Sequence, residues 1–425
     1  MKGKFTLSVP TRNHSAPART SLFRTAAVYD VVEMQPAAAV AQLPRPWRVL
    51  SGLIVSGFLV ALPGGLLPVW GYHIRPEFGL PANYFLILGG GLTGGASLAL
   101  KYGRKLTLER LLAGGCFGAA VALLLLSRAA PPAGFWYQAT ALLIAGLSAG
   151  AVNTAVFETI APAYEANPAR ITLMGGIFFG IGSVLAAWLL AQSLDAASPI
   201  RLLALAAMLP AAAGVAFGRL RLVRPTFVPL ALADSGKDLR SVLAIIFALL
   251  LFFQFANEWS IAGWLPVFLI DKLGVSPGTA VMLLAMYWLA LTAGRLVTAR
   301  LLTVVRHGRL LAVSAFCALF GCTALLAADT RVGVIAGIFF IGAGFSAIYP
   351  LAAEGIASRF SYYHPGYFNG IFTFAMLGGI LAPFAMGHIA AGSGLGVVPL
   401  AAMIGSCAVF VLVLLLWLGR KVSGS

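Results

Sequence analysis

The sequence predicts an all-α membrane protein: twelve transmembrane helices in two pseudo-symmetric six-helix bundles. Three observations carry this. The 425 residues are 60% hydrophobic and only 10% charged, against about 25% charged in an ordinary soluble domain. Apolar runs of the roughly 17–25 residues needed to cross a bilayer recur along most of the length. The second half also echoes the first. Gly146–Glu158 and Gly342–Glu354 each begin with Gly, run through small residues and end on a Glu within an apolar segment, 196 positions apart. In lipid every backbone polar group must be bonded internally, so only helices or a closed barrel span. Barrel strands would alternate apolar and polar residues, and these runs do not.

In chain order the expected spans are 49–72, 81–101, 107–127, 135–158, 171–193, 201–218, 241–269, 279–302, 310–327, 332–356, 366–390 and 397–418. Residues 1–48 mix Pro, Ser, Arg and Ala without periodicity. They lack a continuous apolar core before a cleavage site, and so read as a disordered cytoplasmic leader rather than a signal peptide. A linker at 219–240, holding Arg219, Arg221, Arg224, Pro225, Pro229, Lys237 and Arg240, is the longest internal polar break. It divides an N-terminal bundle, 49–218, from a C-terminal bundle, 241–419, with a cytoplasmic tail at 420–425.

The net charge of +16 raises the question of nucleic acid, but its distribution answers against it. With the N-terminus in the cytoplasm, all but five of the 29 Lys and Arg (Arg75, Arg128, Arg201, Lys272 and Arg331) fall on the cytoplasmic side. That asymmetry is the positive-inside signature. It places both termini on the cytoplasmic face of the inner (plasma) membrane, in a multi-pass chain. The seven cations of the leader suit contact with anionic lipid.

The repeat continues elsewhere. Gly175-Gly176-Ile177 matches Gly378-Gly379-Ile380 at an offset of 203, and Gly103-Arg104-Lys105 is answered by the cationic stretch from Gly294-Arg295 to Arg309. Overlapping GxxxG pairs, Gly90/Gly94 and Gly91/Gly95, predict close helix packing in span two. Several motifs are decoys. Gly89, Gly91 and Gly94 satisfy GxGxxG without a preceding strand. Gly146 to Gly150 satisfies GxSxG without its strand-to-helix turn or a nearby His. Cys116, Cys317, Cys322 and Cys407 lack metal-ligand spacing and read as small core residues. No Walker A loop is present, and neither a metal nor another cofactor is expected. The chain reads as a transporter rather than an enzyme, because duplicated polytopic chains with embedded carboxylates build alternating-access machines.

Of 13 acidic residues, Glu158, Glu258 and Glu354 lie clearly within spans. An ionised carboxylate at bilayer depth costs several kcal/mol unless it is paired or hydrated. Glu258 is the deepest, roughly 24 Å into span seven at 1.5 Å per residue. Gln254 shares its helix face, Asn257 adjoins it at i−1, and Trp264 follows Asn257 at i+7. A carboxylate, two amides and an indole suit a hydroxyl-rich solute. They equally suit an interhelical hydrogen bond that only stabilises packing. Asn153 in span four and Tyr349 in span ten occupy matching places, and both point into the repeat interface if the symmetry holds. Asn369 and Phe372 in span eleven, with Tyr287 and Trp288 in span eight, are further candidates. Glu158 and Glu354, near the cytoplasmic ends, have Arg104, Lys105, Arg295 and Arg300 at comparable depth, as candidates for a cytoplasmic gate or for static anchors.

The segment from Phe255 through Asn257, Glu258, Trp259 and Trp264-Leu-Pro to Phe268 resembles the fucose-permease-like, sugar:proton symporter branch of the major facilitator superfamily. Gly342–Pro350 and Leu377–Pro383 are similar to the same branch, and the superfamily resemblance covers roughly 45–420. The superfamily's loop after span two carries an acidic residue where this chain has Leu100, while Gly103, Arg104 and Lys105 keep its end. Span one also lacks the membrane carboxylate of some fucose-type symporters, so any proton coupling falls to Glu258. The resemblance implies a monomeric secondary transporter taking up a sugar-like or small polar solute with protons by alternating access. The alternative is efflux of drugs or hydrophobic metabolites, and a membrane sensor or scaffold is the reading from another class.

Overall fold

The structure, a computed structural model, describes residues 46–74, 77–195, 198–225, 241–360 and 363–423. Of Arg104, Asp195 and residues 419–423 it describes the backbone only. Most of the expected leader (1–45), much of the linker (226–240) and the last two residues lie outside the described residues.

Among the described residues, twelve helices are long and apolar enough to cross a membrane: α1 Pro46–Val69, α2 Gly79–Tyr102, α3 Leu108–Ser127, α4 Phe135–Thr159, α5 Pro168–Leu194, α6 Pro199–Gly218, α7 Val242–Leu273, α8 Pro277–Leu301, α9 His307–Ala327, α10 Arg331–Ala357, α11 Ile371–Ser393 and α12 Val397–Leu418. The chain is a multi-pass membrane protein. Large apolar side chains such as Phe316, Phe320, Leu289 and Trp188 are left exposed on its flanks, where lipid would cover them. Because the span count is even, the start of α1 and the end of α12 share one end of the molecule. This is the terminal end, and the other is the distal end.

Local chemistry sets the boundaries. Ser241 caps α7 by accepting from the Ala244 N–H at 3.1 Å. Gly274, at φ 60°, ends that helix in the left-handed conformation that glycine adopts without penalty. Ser276 accepts from the Thr279 N–H and Pro277 opens α8. One boundary departs from the expectation. Span eleven is expected to begin at 366, but Phe368 and Gly370 take φ of 46° and 52°. The helix therefore starts only at Ile371, and the preceding residues form a buried loop.

In the first half, α1 packs on α5 and α4, α4 on α2 and α3, and α3 on α6. In the second, α7 packs on α11 and α12, α10 on α8 and α9, and α9 on α12. The halves meet along two seams, α5 with α8 and α2 with α11, with α1 against α7 between them. Offsets of 196 and 203 exchange α2 with α8 and α5 with α11, so the seams are images of each other. Glycine makes the tight contacts possible. A Cβ on Gly91 or Gly95 would collide with the α4 backbone at Leu143 or Leu147, and one on Gly146 or Gly150 with the α2 backbone. Gly342 is packed in the same way against α8 at Tyr287 and Leu291. Small residues bring the backbones together where lipid leaves no hydrophobic force to do it.

Candidate functional site

A cavity of about 120 Å³ lies between the two halves, with walls from α1, α2, α4, α5, α7, α8, α10, α11 and the loop before α11. At the roughly 30 Å³ that each water takes in the liquid, this is room for about four waters. Its polar lining includes Ser56, Asn153, Thr172, Glu258, Arg295 and Tyr349, and its aromatic walls include Phe179, Phe255, Trp259 and Phe368. Asn153 and Tyr349, matched by the repeat, both face it.

Glu258 and Arg295 form an ion pair, Oε1 to Nη2 at 3.5 Å, with both residues almost wholly buried. Gln254, one turn earlier on α7, donates from Nε2 to Glu258 Oε2 at 3.5 Å. Arg295 Nη1 donates to the Gly176 carbonyl of α5 at 2.7 Å. Gly176 makes this possible, since a Cβ there would sit 2.8 Å from the guanidinium. Arg295 thus spans the α5/α8 seam. Tyr287 Oη donates to the Glu258 carbonyl at 3.4 Å.

The two halves touch at both ends of the cavity. Toward the distal end, Trp264 Nε1 donates to the Pro383 carbonyl at 2.9 Å, and its ring packs on Phe78 and Phe85 of the other half. Beside it, Gly64 of α1 touches the Ala262 backbone of α7. Toward the terminal end, the loop before α11 fills the gap. Gly366 lies on Phe157, and Thr154 Oγ1 donates to the Gly366 carbonyl at 3.0 Å. His364 packs against Phe157, Tyr164 and Tyr367, with ring centroids 5.6, 4.5 and 4.7 Å away.

His364 lies outside the spans, and burial pushes its pKa down to about 3. While the loop is seated the ring stays neutral. A state that exposes the ring to water binds a proton from about pH 6.5 downward. The shut state therefore loses about 1.4 kcal/mol per pH unit below that. The terminal end is expected to open about tenfold more readily at pH 5.5 than at pH 7.5. The measurement is labelling of a cysteine placed at position 153, corrected for an exposed reference thiol. An acid effect that survives in His364→Phe would refute the assignment.

Several residues lie elsewhere than the sequence suggested. Arg295 is not beside Glu354 at the terminal end; it is the partner of Glu258 in the cavity. Glu354 instead pairs with His307 Nδ1 at 2.7 Å, within the second bundle. Glu158 pairs with Arg224 Nε of the linker at 3.2 Å, and Arg224 Nη2 also donates to the Gly103 carbonyl at 2.9 Å. The Arg104 side chain lies outside the described residues, while Lys105 and Arg300 are exposed. Trp264 plugs the distal end rather than lining the cavity. Asn369 braces the loop, its Oδ1 accepting from the His364 N–H at 3.1 Å.

Asn257 turns away from the cavity, donating from Nδ2 to Ser406 Oγ on α12 at 3.2 Å. Asn257→Ala is expected to lower stability by about 1 kcal/mol through loss of that hydrogen bond, the Ser406 hydroxyl keeping Cys322 Sγ at 3.3 Å. Solute KM should stay unchanged, and denaturant titration beside transport kinetics separates the two effects. Sequence reasoning missed Phe179, Phe368, His307 and His364. Trp259 and Phe255 had a signal, at i+1 and i−3 from Glu258.

No family model matches the chain. Over 148 residues it is 28% identical to an uncharacterized MFS-type transporter of Yersinia pestis, spanning 35% of this chain and 38% of that relative, well under half its length. A crystal structure of the E. coli fucose:proton symporter FucP superposes with a TM-score of 0.60 at 18% identity, covering 87% of this chain and 97% of that one. Another, of the MFS transporter FucP in the outward conformation, gives 0.59 at 17% identity, covering 87% and 98%. What this chain shares with these proteins is the major facilitator superfamily fold.

Proposed function

We propose that the chain is a secondary transporter that carries a sugar-like or other small polar organic solute through the central cavity by alternating access, coupled to protons. The observation that carries this reading is the carboxylate of Glu258, paired and buried in a cavity lined by both bundles. An intramembrane carboxylate is costly, and it suits a group that exchanges protons when its surroundings open to water. Asn153 and Tyr349 offer hydrogen bonds from opposite halves, and Trp259 and Phe179 offer faces for apolar parts of the solute. Rocking of the bundles about the α5/α8 and α2/α11 seams would expose the site to each side in turn.

With both termini in the cytoplasm, the loop around His364 becomes the inner plug and Trp264 the outer one. In this reading, Glu158 with Arg224 and Glu354 with His307 hold the inner ends of their own bundles while the gap between bundles opens. The aromatic lining favours a second reading, export of hydrophobic solutes. Proteoliposomes with an imposed pH gradient, offered sugars and hydrophobic dyes in turn, decide between them. Uptake predicts gradient-driven accumulation of a polar solute that Glu258→Gln reduces to equilibration. Unchanged accumulation in Glu258→Gln would remove the proton role, and dye extrusion would favour export.

A further inference from the structure

Glu258 and Arg295 are the charged residues lining the cavity, and together they are neutral. A neutral polyol would be served by Asn153, Tyr349 and one carboxylate, and would leave a buried guanidinium with nothing to recognise. A guanidinium has five N–H donors in a planar fork that matches a carboxylate. Here Nη1 is anchored on the Gly176 carbonyl at 2.7 Å. Nη2 faces Glu258 at 3.5 Å, well beyond the roughly 2.7–2.9 Å of a strong charge-assisted bond. Nε is buried without a hydrogen-bond partner. Glu258 therefore satisfies Arg295 only in part.

Building on the transporter reading, we infer that the solute is a small organic monocarboxylate, such as a sugar acid or hydroxy acid. Its carboxylate takes the place of Glu258 on Arg295 while Glu258 takes up a proton. The exchange balances. One proton from water bonds to a Glu258 oxygen, the solute anion becomes the counter-charge of Arg295, and release on the far side returns both to the starting pair. A proton arriving alone would leave Arg295 uncompensated, and an anion arriving alone would leave a surplus negative charge. Both states are disfavoured in a buried site, so the two enter together. A dianion would leave a charge that a single proton does not cancel. Because Arg295 reaches from α8 to the backbone of α5, the anion binds across a seam that must part when the bundles rock.

The test uses the full chain in liposomes with D-gluconate, D-glucuronate and L-lactate. D-glucose and L-fucose serve as neutral counterparts and glucose 6-phosphate as a dianion. A pH gradient is imposed with the membrane potential clamped at zero, and then again with a potential. At least one monocarboxylate should accumulate tenfold or more over protein-free vesicles, at a rate that the potential leaves unchanged. Arg295→Lys, which keeps the charge but loses the fork, should raise its KM at least tenfold more than it lowers kcat. Accumulation of a neutral sugar, accelerated by an inside-negative potential, would overturn the inference and leave the transporter reading intact. If no probe accumulates, the inference falls, whereas alternate opening of the two ends, read from spin-label distances in the same vesicles, would keep the transporter reading standing.

Discussion

Glu258→Leu alone is expected to destabilise the protein by about 3–5 kcal/mol, and Arg295→Met alone by a similar amount. The double variant should return to within about 1–2 kcal/mol of the parent, because an apolar pair of similar size removes both buried charges at once. The expectation rests on burial, with Glu258 6% and Arg295 4% exposed, so that water does little to compensate whichever charge is left. Unfolding in detergent micelles measures the three changes, and the non-additivity is the coupling. Coupled transport should be absent in all three variants. The recovered stability of the double variant then separates a functional pair from a structural one. Single costs below about 1 kcal/mol would mean that the pair is solvated, and the burial argument would be wrong.

The second large effect concerns the two plugs. Gly64→Val puts a branched side chain against the Ala262 carbonyl across the distal contact, where rigid backbone offers nothing that can give way. Gly366→Val does the same against the root of the Phe157 side chain at the terminal contact. Each should wedge its own end open. In a background with the four native cysteines replaced and Asn153→Cys as reporter, an impermeant maleimide should reach the cavity at least tenfold faster from the distal face in Gly64→Val. In Gly366→Val the faster access should come from the terminal face, and transport should be lost in both. Equal access from both faces in either variant would mean collapse of the packing rather than a shift between states.

Much of the fold was legible because lipid constrains it severely. Span count, the split into halves and the close approach of α2 and α4 at Gly91, Gly95, Gly146 and Gly150 follow from apolar length and small-residue spacing. The site was legible only in part, because periodicity says which residues share a face but not what that face meets. Glu258 and Gln254, four apart, do touch. Asn257, one residue from Glu258, lies about 100° around the helix and faces α12 instead. Trp264 follows the stripe of Asn257, and so it left the cavity too. Arg295 was read by its distance from the end of span eight, when its long side chain reaches inward to Glu258 on the preceding helix of the same half. The loop before α11 was misread for a different reason. Its apolar residues seal the space between two bundles, so hydrophobicity there reports a plug rather than a span.

Alternating access about the Glu258–Arg295 site is the central claim, and distances across the two ends test it most directly. Spin labels at Ile74 and Val332 report the distal end, and labels at Leu106 and Val304 the terminal end, all on exposed positions of opposite bundles. In proteoliposomes the two distance distributions should shift in opposite directions between pH 7.5 and 5.5, one end widening as the other narrows. Distributions that stay fixed, or that widen together, would contradict it.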